Sequence, residues 1–315
     1  MTSAARARVE QLRAQLRIPV VAAPMFLVSG PELVIAASCA GAIGSFPAPN
    51  ARTVDDLEAW CTGIAGALAP EGLPWAVNAI VHSSYDRLAD ELAVFARHRP
   101  PLVITALGSP RRVLDEVHAY GGLVFADVAT PAHAQKAAAA GADGLVLVCA
   151  GAGGHTGSFS PFAFVREVRA FWDGPLILSG AIGDGRAIRA AELLGADLVY
   201  VGTRFIATRE SLASEAYRQM LVEAQMADVV LSSEVTGVPA NWLAASVAAA
   251  GAPAAPAAGV DFSGTISERK AWKHIWSAGH GVGLVREVLG VAELVDELAV
   301  GYEALAPAAE RERAR

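Results

Sequence analysis

Residues 150–157 read AGAGGHTG and follow directly on the apolar run 145–149. A run this short, rich in Val and Leu and closed by a cluster of glycines, reads as a strand that ends in an open turn. With so few side chains, the turn lets a flat or charged molecule approach the backbone, and His155 is its only ionisable group. Taken alone, the segment is equally readable as a simple turn carrying a satisfied histidine. Two further glycine-marked strand ends follow in LSGAIGDGRAI (178–188) and VGTRFIAT (201–208). Three such ends in succession point to one shared rim.

Working outward, short β-branched runs alternate with alanine-rich segments of helical period along most of the chain, the pattern of repeated βα units and a parallel sheet. Strands are predicted at 20–23, 42–46, 75–80, 102–106, 123–127, 145–149, 176–179 and 198–201, with helices at 31–39, 54–68, 85–97, 131–140 and 186–194 among those between them. Eight strands are the number that closes a TIM (β/α)8 barrel, an α/β fold. The triplets Gly141-Ala142-Asp143 and Gly195-Ala196-Asp197 place a helix-ending glycine and a turn residue before the sixth and eighth strands. An open doubly wound sheet is the other architecture considered, but its glycine fingerprint follows the first strand of its unit, whereas these lie late in the chain.

After the eighth strand the pattern changes. Residues 211–226 have helical period; an irregular stretch containing TGVPANW and the Ala/Pro/Gly run 248–259 follow; a helical pattern resumes at SERKAWKHIWSAGHGVGLV and covers 284–305, and the RERAR end reads as a frayed tail. The reading is one domain over 1–315, with a C-terminal insertion and helical elaboration over about 227–315.

Composition narrows the function classes. Hydrophobic residues make up 53% and charged residues 18% of 315, a balance for a packed core and against disorder. The hydrophobic excess is mostly Ala and Val, and no run of about 18 large apolar residues suggests a membrane span. The N-terminus reads as a short amphipathic helix. A net charge of −7 provides no general attraction to nucleic acid or acidic membranes. Cys39, Cys61 and Cys149 lack CxxC spacing and read as small core residues in a reducing cytoplasm, and no Cys/His pattern asks for a metal.

In a barrel, the loops after the seventh and eighth strands commonly hold a phosphate. The N–H groups of Gly180, Ala181, Gly202 and Thr203 are placed for that, with the Thr203 hydroxyl. Arg186 and Arg204 read as partners of surface carboxylates, and Asp184 as a helix cap. Met25, in AAPM (22–25), offers either a soft surface for a planar ring or core packing. Asn78 closes an otherwise apolar run, where an amide needs partners and can serve a heterocycle as donor and acceptor. Asp127 closes another such run, with a capping role toward Thr130-Pro131 as its alternative. Trp242, Phe262 and Trp276 admit pocket lining, core packing or a homodimer contact.

Taken in order, AAPM, AGAGGHTG, LSGAIGDGRAI, VGTRFIAT and WSAGHGVG resemble the nitronate monooxygenase family, over about residues 19–283. The resemblance implies an FMN-dependent TIM barrel that oxidises alkyl nitronates, with nitroalkanes as a second class, using O2 to give carbonyl compounds and nitrite. It implies that Gly180, Ala181, Gly202 and Thr203 hold the FMN phosphate and that Ala23, Pro24, Met25 and Asn78 contact the ribityl chain and ring. It also implies that Gly154 belongs to the cofactor loop and that His155 is the active-site histidine. Three positions depart from the family pattern: His280 stands for a usual glutamine, Asn78 for a glutamine, and the lysine of some members is lacking near Asp127. The alternative enzyme reading is an FMN-dependent NAD(P)H oxidoreductase, reducing a quinone or an enoyl thioester. Further from these lie a non-redox barrel acting on a phosphorylated substrate and a flavin-binding regulatory protein.

Overall fold

Seven short runs rich in Val, Ile and Leu, together with GSFP at 44–47, become the parallel strands of a closed barrel in the computed structural model, which describes residues 2–251 and 274–305. The strands are β1 (Val20–Ala22), β2 (Gly44–Pro47), β3 (Trp75–Ile80), β4 (Leu102–Ala106), β5 (Leu123–Val128) and β6 (Gly144–Val148), then β8 (Leu176–Ser179) and β9 (Leu198–Val201). A two-residue strand, β7 (Gly154–His155), lies outside the barrel. The sheet runs β1-β9-β8-β6-β5-β4-β3-β2. It closes because β1 also meets the approach to β2: Val21 bridges Ile43 in parallel, the Ala22 N–H donates to the Ile43 carbonyl at 2.9 Å, and the Ile43 N–H donates to the Val20 carbonyl at 2.8 Å.

Alternation along the strands sends Val21, Ala76, Ile104, Phe125, Val146 and Ile177 into the barrel, where they pack with Ala5 and Val9. Those last two come from the N-terminal helix Thr2–Arg13, which plugs the amino end of the barrel. Its arginines tie it down: Arg6 reaches Asp197 at 3.2 Å, Arg8 the Gly121 carbonyl, and Arg13 Glu192. Outward-facing strand residues pack against the apolar faces of the wall helices. The paired triplets carry a further role. Gly141 and Gly195 end their helices with φ of 100° and 113°. Asp143 and Asp197 then accept the Val124 and Leu176 N–H groups, each at 2.8 Å, pinning the start of the preceding barrel strand.

Several boundaries differ from the sequence reading. The second strand starts at Gly44, with Ile43 serving only as a bridge, and the helix expected from 85 begins at Leu88. The irregular stretch after the eighth strand contains a hairpin, β10 (Val229–Ser232) and β11 (Ala240–Leu243), and β11 also pairs with β7. Long-range pairing decides these strands. Cys39 is exposed, not core, because the last turn of the Pro31–Cys39 helix turns it to solvent, whereas Cys61 and Cys149 are buried. Most of the Ala/Pro/Gly run, Phe262 and the RERAR tail lie outside the described residues. No described helix is long and apolar enough to cross a membrane.

The terminal helix Val291–Glu303 stands in the barrel wall, between Gly185–Leu194 and Pro31–Cys39. Arg204 bonds its Glu297 at 2.8 Å, and the Tyr302 hydroxyl bonds Glu192 at 2.9 Å. A Cβ on Gly185 would lie 2.1 Å from the Tyr302 nitrogen and 2.3 Å from the Gly301 carbonyl carbon. In an exposed helix Gly→Ala stabilises by about 1 kcal/mol; here the clash with backbone reverses the sign. Gly185→Ala is expected to lower the unfolding free energy by about 1–3 kcal/mol, read by urea denaturation.

Candidate active site

The carboxyl ends of the barrel strands surround a cavity of about 1000 Å3. Every residue singled out from the sequence as a cofactor or catalytic candidate lies on it. Ala23, Pro24 and Met25 come from the exit of β1, Asn78 from β3, Gly154 and His155 from β7, Gly180 and Ala181 from the exit of β8, and Gly202 and Thr203 from that of β9.

The β8 and β9 exits form one end. No described residue accepts the N–H of Gly180 or Gly202, and Thr203 opens the short helix Thr203–Ile206. A Cβ on Gly202 would sit 3.7 Å from both the Ala23 Cβ and the Met25 Sδ, so the exits of β1 and β9 face each other there. The Ala181 N–H points to the Gly151 carbonyl at 3.3 Å, at a backbone φ of 58°. Nearby charges are engaged elsewhere. Arg204 is buried and bonds the Gly183 carbonyl at 2.9 Å as well as Glu297, and Asp184 caps its helix by accepting the Ala187 N–H at 2.8 Å.

The histidine loop is held from the far end of the chain. His155 pairs with Ala240 and Gly154 with Asn241 in the small antiparallel sheet, and the buried Asn241 amide donates to the Ala152 carbonyl at 2.7 Å. From the WSAGHGVG segment, the His280 N–H donates to the Gly151 carbonyl and the Gly279 N–H to the Thr203 hydroxyl, both at 2.9 Å. His280 itself is exposed and starts a short 3-10 helix, His280–Leu284. Trp276 lines the cavity, stacked on Tyr217 at 5.0 Å, whereas Trp242 is fully buried in the core of the excursion.

Three contributors escaped the sequence reading. Asn50 clamps the β1 exit loop, its amide donating to the Met25 and Ser29 carbonyls at 3.0 and 2.8 Å while its oxygen accepts the Leu27 N–H at 2.9 Å. Asn241 and Tyr200 are the others, and only their position in the closed fold marks them. Asp127 does not cap the following helix; Thr130 does, accepting the His133 N–H at 3.1 Å. Asp127 faces the cavity instead, and burial pushes its carboxyl up to about 7.

A closed parallel barrel with a glycine-lined cavity on its carboxyl rim has the build of a barrel enzyme. The nitronate monooxygenase family model matches residues 74–301, and the chain belongs to that family. Family members are flavin-dependent oxidoreductases. The chain is 31% identical to a nitronate monooxygenase of Pseudomonas aeruginosa, with 89% of this chain and 95% of that protein covered. It is 30% identical to a (3aS,4S,5R,7aS)-5-hydroxy-7a-methyl-1-oxo-octahydro-1H-indene-4-carboxyl-CoA dehydrogenase of Mycobacterium tuberculosis over 70% of this chain, which spans 61% of that relative's length. Among solved structures, a nitroalkane oxidase of Streptomyces ansochromogenes superposes with a TM-score of 0.81 at 27% identity, covering 96% of this chain and 99% of that one. A mutant of FabK from Thermotoga maritima superposes with a TM-score of 0.76 at 27% identity, covering 98% of each chain.

The hold on the histidine loop is testable. Asn241→Ala leaves the Ala152 carbonyl without its partner and is expected to cost about 1–3 kcal/mol in urea denaturation. Amide exchange at residues 153–156 should speed up in the same variant.

Proposed function

We propose that the protein is an FMN-dependent monooxygenase that converts alkyl nitronates and O2 to carbonyl compounds and nitrite. The observation that carries this reading is the placement of His155 on the same cavity as the N–H groups of Gly180 and Gly202, which no described residue accepts. The donor set suits FMN: backbone N–H groups for a phosphate at the β8/β9 end, the apolar surfaces of Met25 and Ile80 for a ring, and the amide of Asn78 for its polar edge. When bound, FMN supplies the electron transfer that no side chain here can perform.

The chain's own work is binding, orientation and proton control. Met25, Ile80 and Trp276 give the cavity apolar walls that exclude water around the substrate. The His155 imidazole removes the α-proton of a neutral nitroalkane, and as an imidazolium it steadies the nitro oxygens. A nitronate arrives already deprotonated and needs only the second role.

A second reading has its own support. The cavity lining extends beyond the cofactor candidates to Leu107, Ser109, His133 and Lys136, and the Lys136 ammonium suits an anionic substrate. That extension, with the similarity to FabK and to a CoA-thioester dehydrogenase, favours an NAD(P)H-dependent reductase of quinones or enoyl thioesters. An anaerobic absorbance spectrum of the FMN-loaded protein separates the two. Bleaching of the flavin band by propionate 3-nitronate, with no response to NADH or NADPH, is the expected result; bleaching by pyridine nucleotide alone would favour the reductase.

His155→Asn should lower kcat/KM for a neutral nitroalkane by about 100-fold or more and for its nitronate by less than about tenfold, measured as nitrite release. Equal losses on both substrates would rule out the proton-abstracting role.

A further inference from the structure

Two leucines on the cavity stand in a backbone conformation that suits glycine. Among the described residues, four other than glycine have a positive φ: Leu27 (59°), Arg99 (51°), Leu107 (63°) and Ala181 (58°). Arg99 ends a helix, where this conformation is a common cap. The other three line the cavity, Ala181 at the β8/β9 end and the leucines at the exits of β1 and β4. A leucine in the left-handed region crowds its Cβ against the backbone, whereas glycine rests there freely and asparagine at lower cost. Leu27 is the third residue of a turn that the Val28 N–H closes on the Met25 carbonyl at 3.2 Å, a position where positive φ ordinarily selects glycine.

The neighbours hold both leucines in place. Asn50 accepts the Leu27 N–H at 2.9 Å and donates to the Met25 and Ser29 carbonyls on either side of it. At the exit of β4, the Ala106 carbonyl accepts the Val81 N–H at 2.9 Å, and a Cβ on Gly108 would come within 2.5 Å of the Val81 carbonyl oxygen. Strain fixed in this way by its surroundings collects at ligand sites. Core packing does not account for these side chains: Leu27 and Leu107 are 38% and 37% exposed, and neither belongs to an apolar cluster of the core.

Their setting identifies what they meet. Closure puts the exits of β1, β2, β3 and β4 side by side, and between the two leucines stand Pro49, after β2, and Ile80, at the end of β3. No lining residue from these four exits is titratable; Asp127, His133, Lys136, His155 and Arg204 all come from β5 onward. In the order of the closed sheet, β3 and β4 lie across the ring from β8 and β9. One side of the cavity is therefore apolar and open to solvent, opposite the end that offers backbone N–H groups to a phosphate.

We infer, resting on the nitronate reading above, that Leu27 and Leu107 grip the alkyl chain of the substrate, so that the protein selects nitronates with an unbranched apolar chain of several carbons over those of nitroethane size. Glycine at either position would relieve the backbone and lose the grip. The two leucines act on the chain and not on the reacting carbon. Each methylene that they take out of water strengthens binding by about threefold.

The test is kcat/KM for nitrite release from the nitronates of nitroethane, 1-nitrobutane and 1-nitrohexane, with the FMN-loaded full chain. For the wild type the hexyl-to-ethyl ratio is expected to be about 30-fold or more. In Leu27→Asn/Leu107→Asn that ratio should fall by about tenfold or more, with the change carried by KM. Asparagine is of similar size and suits the left-handed backbone, so the urea midpoint of this variant should stay level or rise. Leu27→Met/Leu107→Met restores apolar surface and should keep the ratio within about threefold of wild type. A wild-type ratio near one, or a ratio unchanged in the asparagine variant, would overturn the grip while leaving nitronate oxidation in place. A lowered urea midpoint in the asparagine variant would do the same, because it would mark the leucines as packing residues. Absence of nitrite from every nitronate would overturn the nitronate reading and this inference together.

Discussion

Everything on the rim depends on the closure between β1 and the segment entering β2. Two hydrogen bonds, from the Ala22 N–H to the Ile43 carbonyl and from the Ile43 N–H to the Val20 carbonyl, join the two edges of the sheet. Without them the strands would form an open surface with two exposed edges. With them, alternate residues of all eight strands share one interior, and all eight carboxyl ends share one mouth. The N-terminal helix fills the opposite mouth, so apolar packing occupies the lower barrel and the ligand space is confined to the upper rim.

The second constraint is that the histidine loop is not self-sufficient. AGAGGHTG has little side-chain bulk with which to define its own path, and glycines raise the entropy that ordering must overcome. Its order comes from residues about 85 to 130 positions later: Asn241 holds Ala152, β11 pairs with Gly154 and His155, and the His280 N–H donates to Gly151. The excursion between β9 and the terminal helix therefore works as a brace. A flat molecule can approach the loop because its fixed geometry is supplied from outside the cavity.

Most of the barrel was legible because each strand had to satisfy a local rule as well as a global one. The runs at 75–80, 102–106, 176–179 and 198–201 are apolar, bounded by turn residues and of strand length, and they form β3, β4, β8 and β9 with those ends. The hairpin β10–β11 was not legible. The pairing of β11 with β7 joins residues far apart in the chain, which no local pattern encodes. Asn50 and Asn241 read as ordinary polar residues; only tertiary placement turns each amide into a clamp.

The sequence by itself determined the alternation of strand and helix, the eightfold count, and the glycine-marked ends with His155 among them. Those follow from local chemistry: side-chain branching, capping and the free backbone of glycine. Tertiary structure alone decided how the sheet closes, which half of the chain braces the histidine loop, and which polar residues line the cavity. Asp127 shows why. In the sequence it is a carboxylate before a helix, equally suited to capping it, and Thr130 takes that role. Closure places it on the floor of the cavity, where the loss of water around its charge, a quantity no local pattern encodes, sets its chemistry.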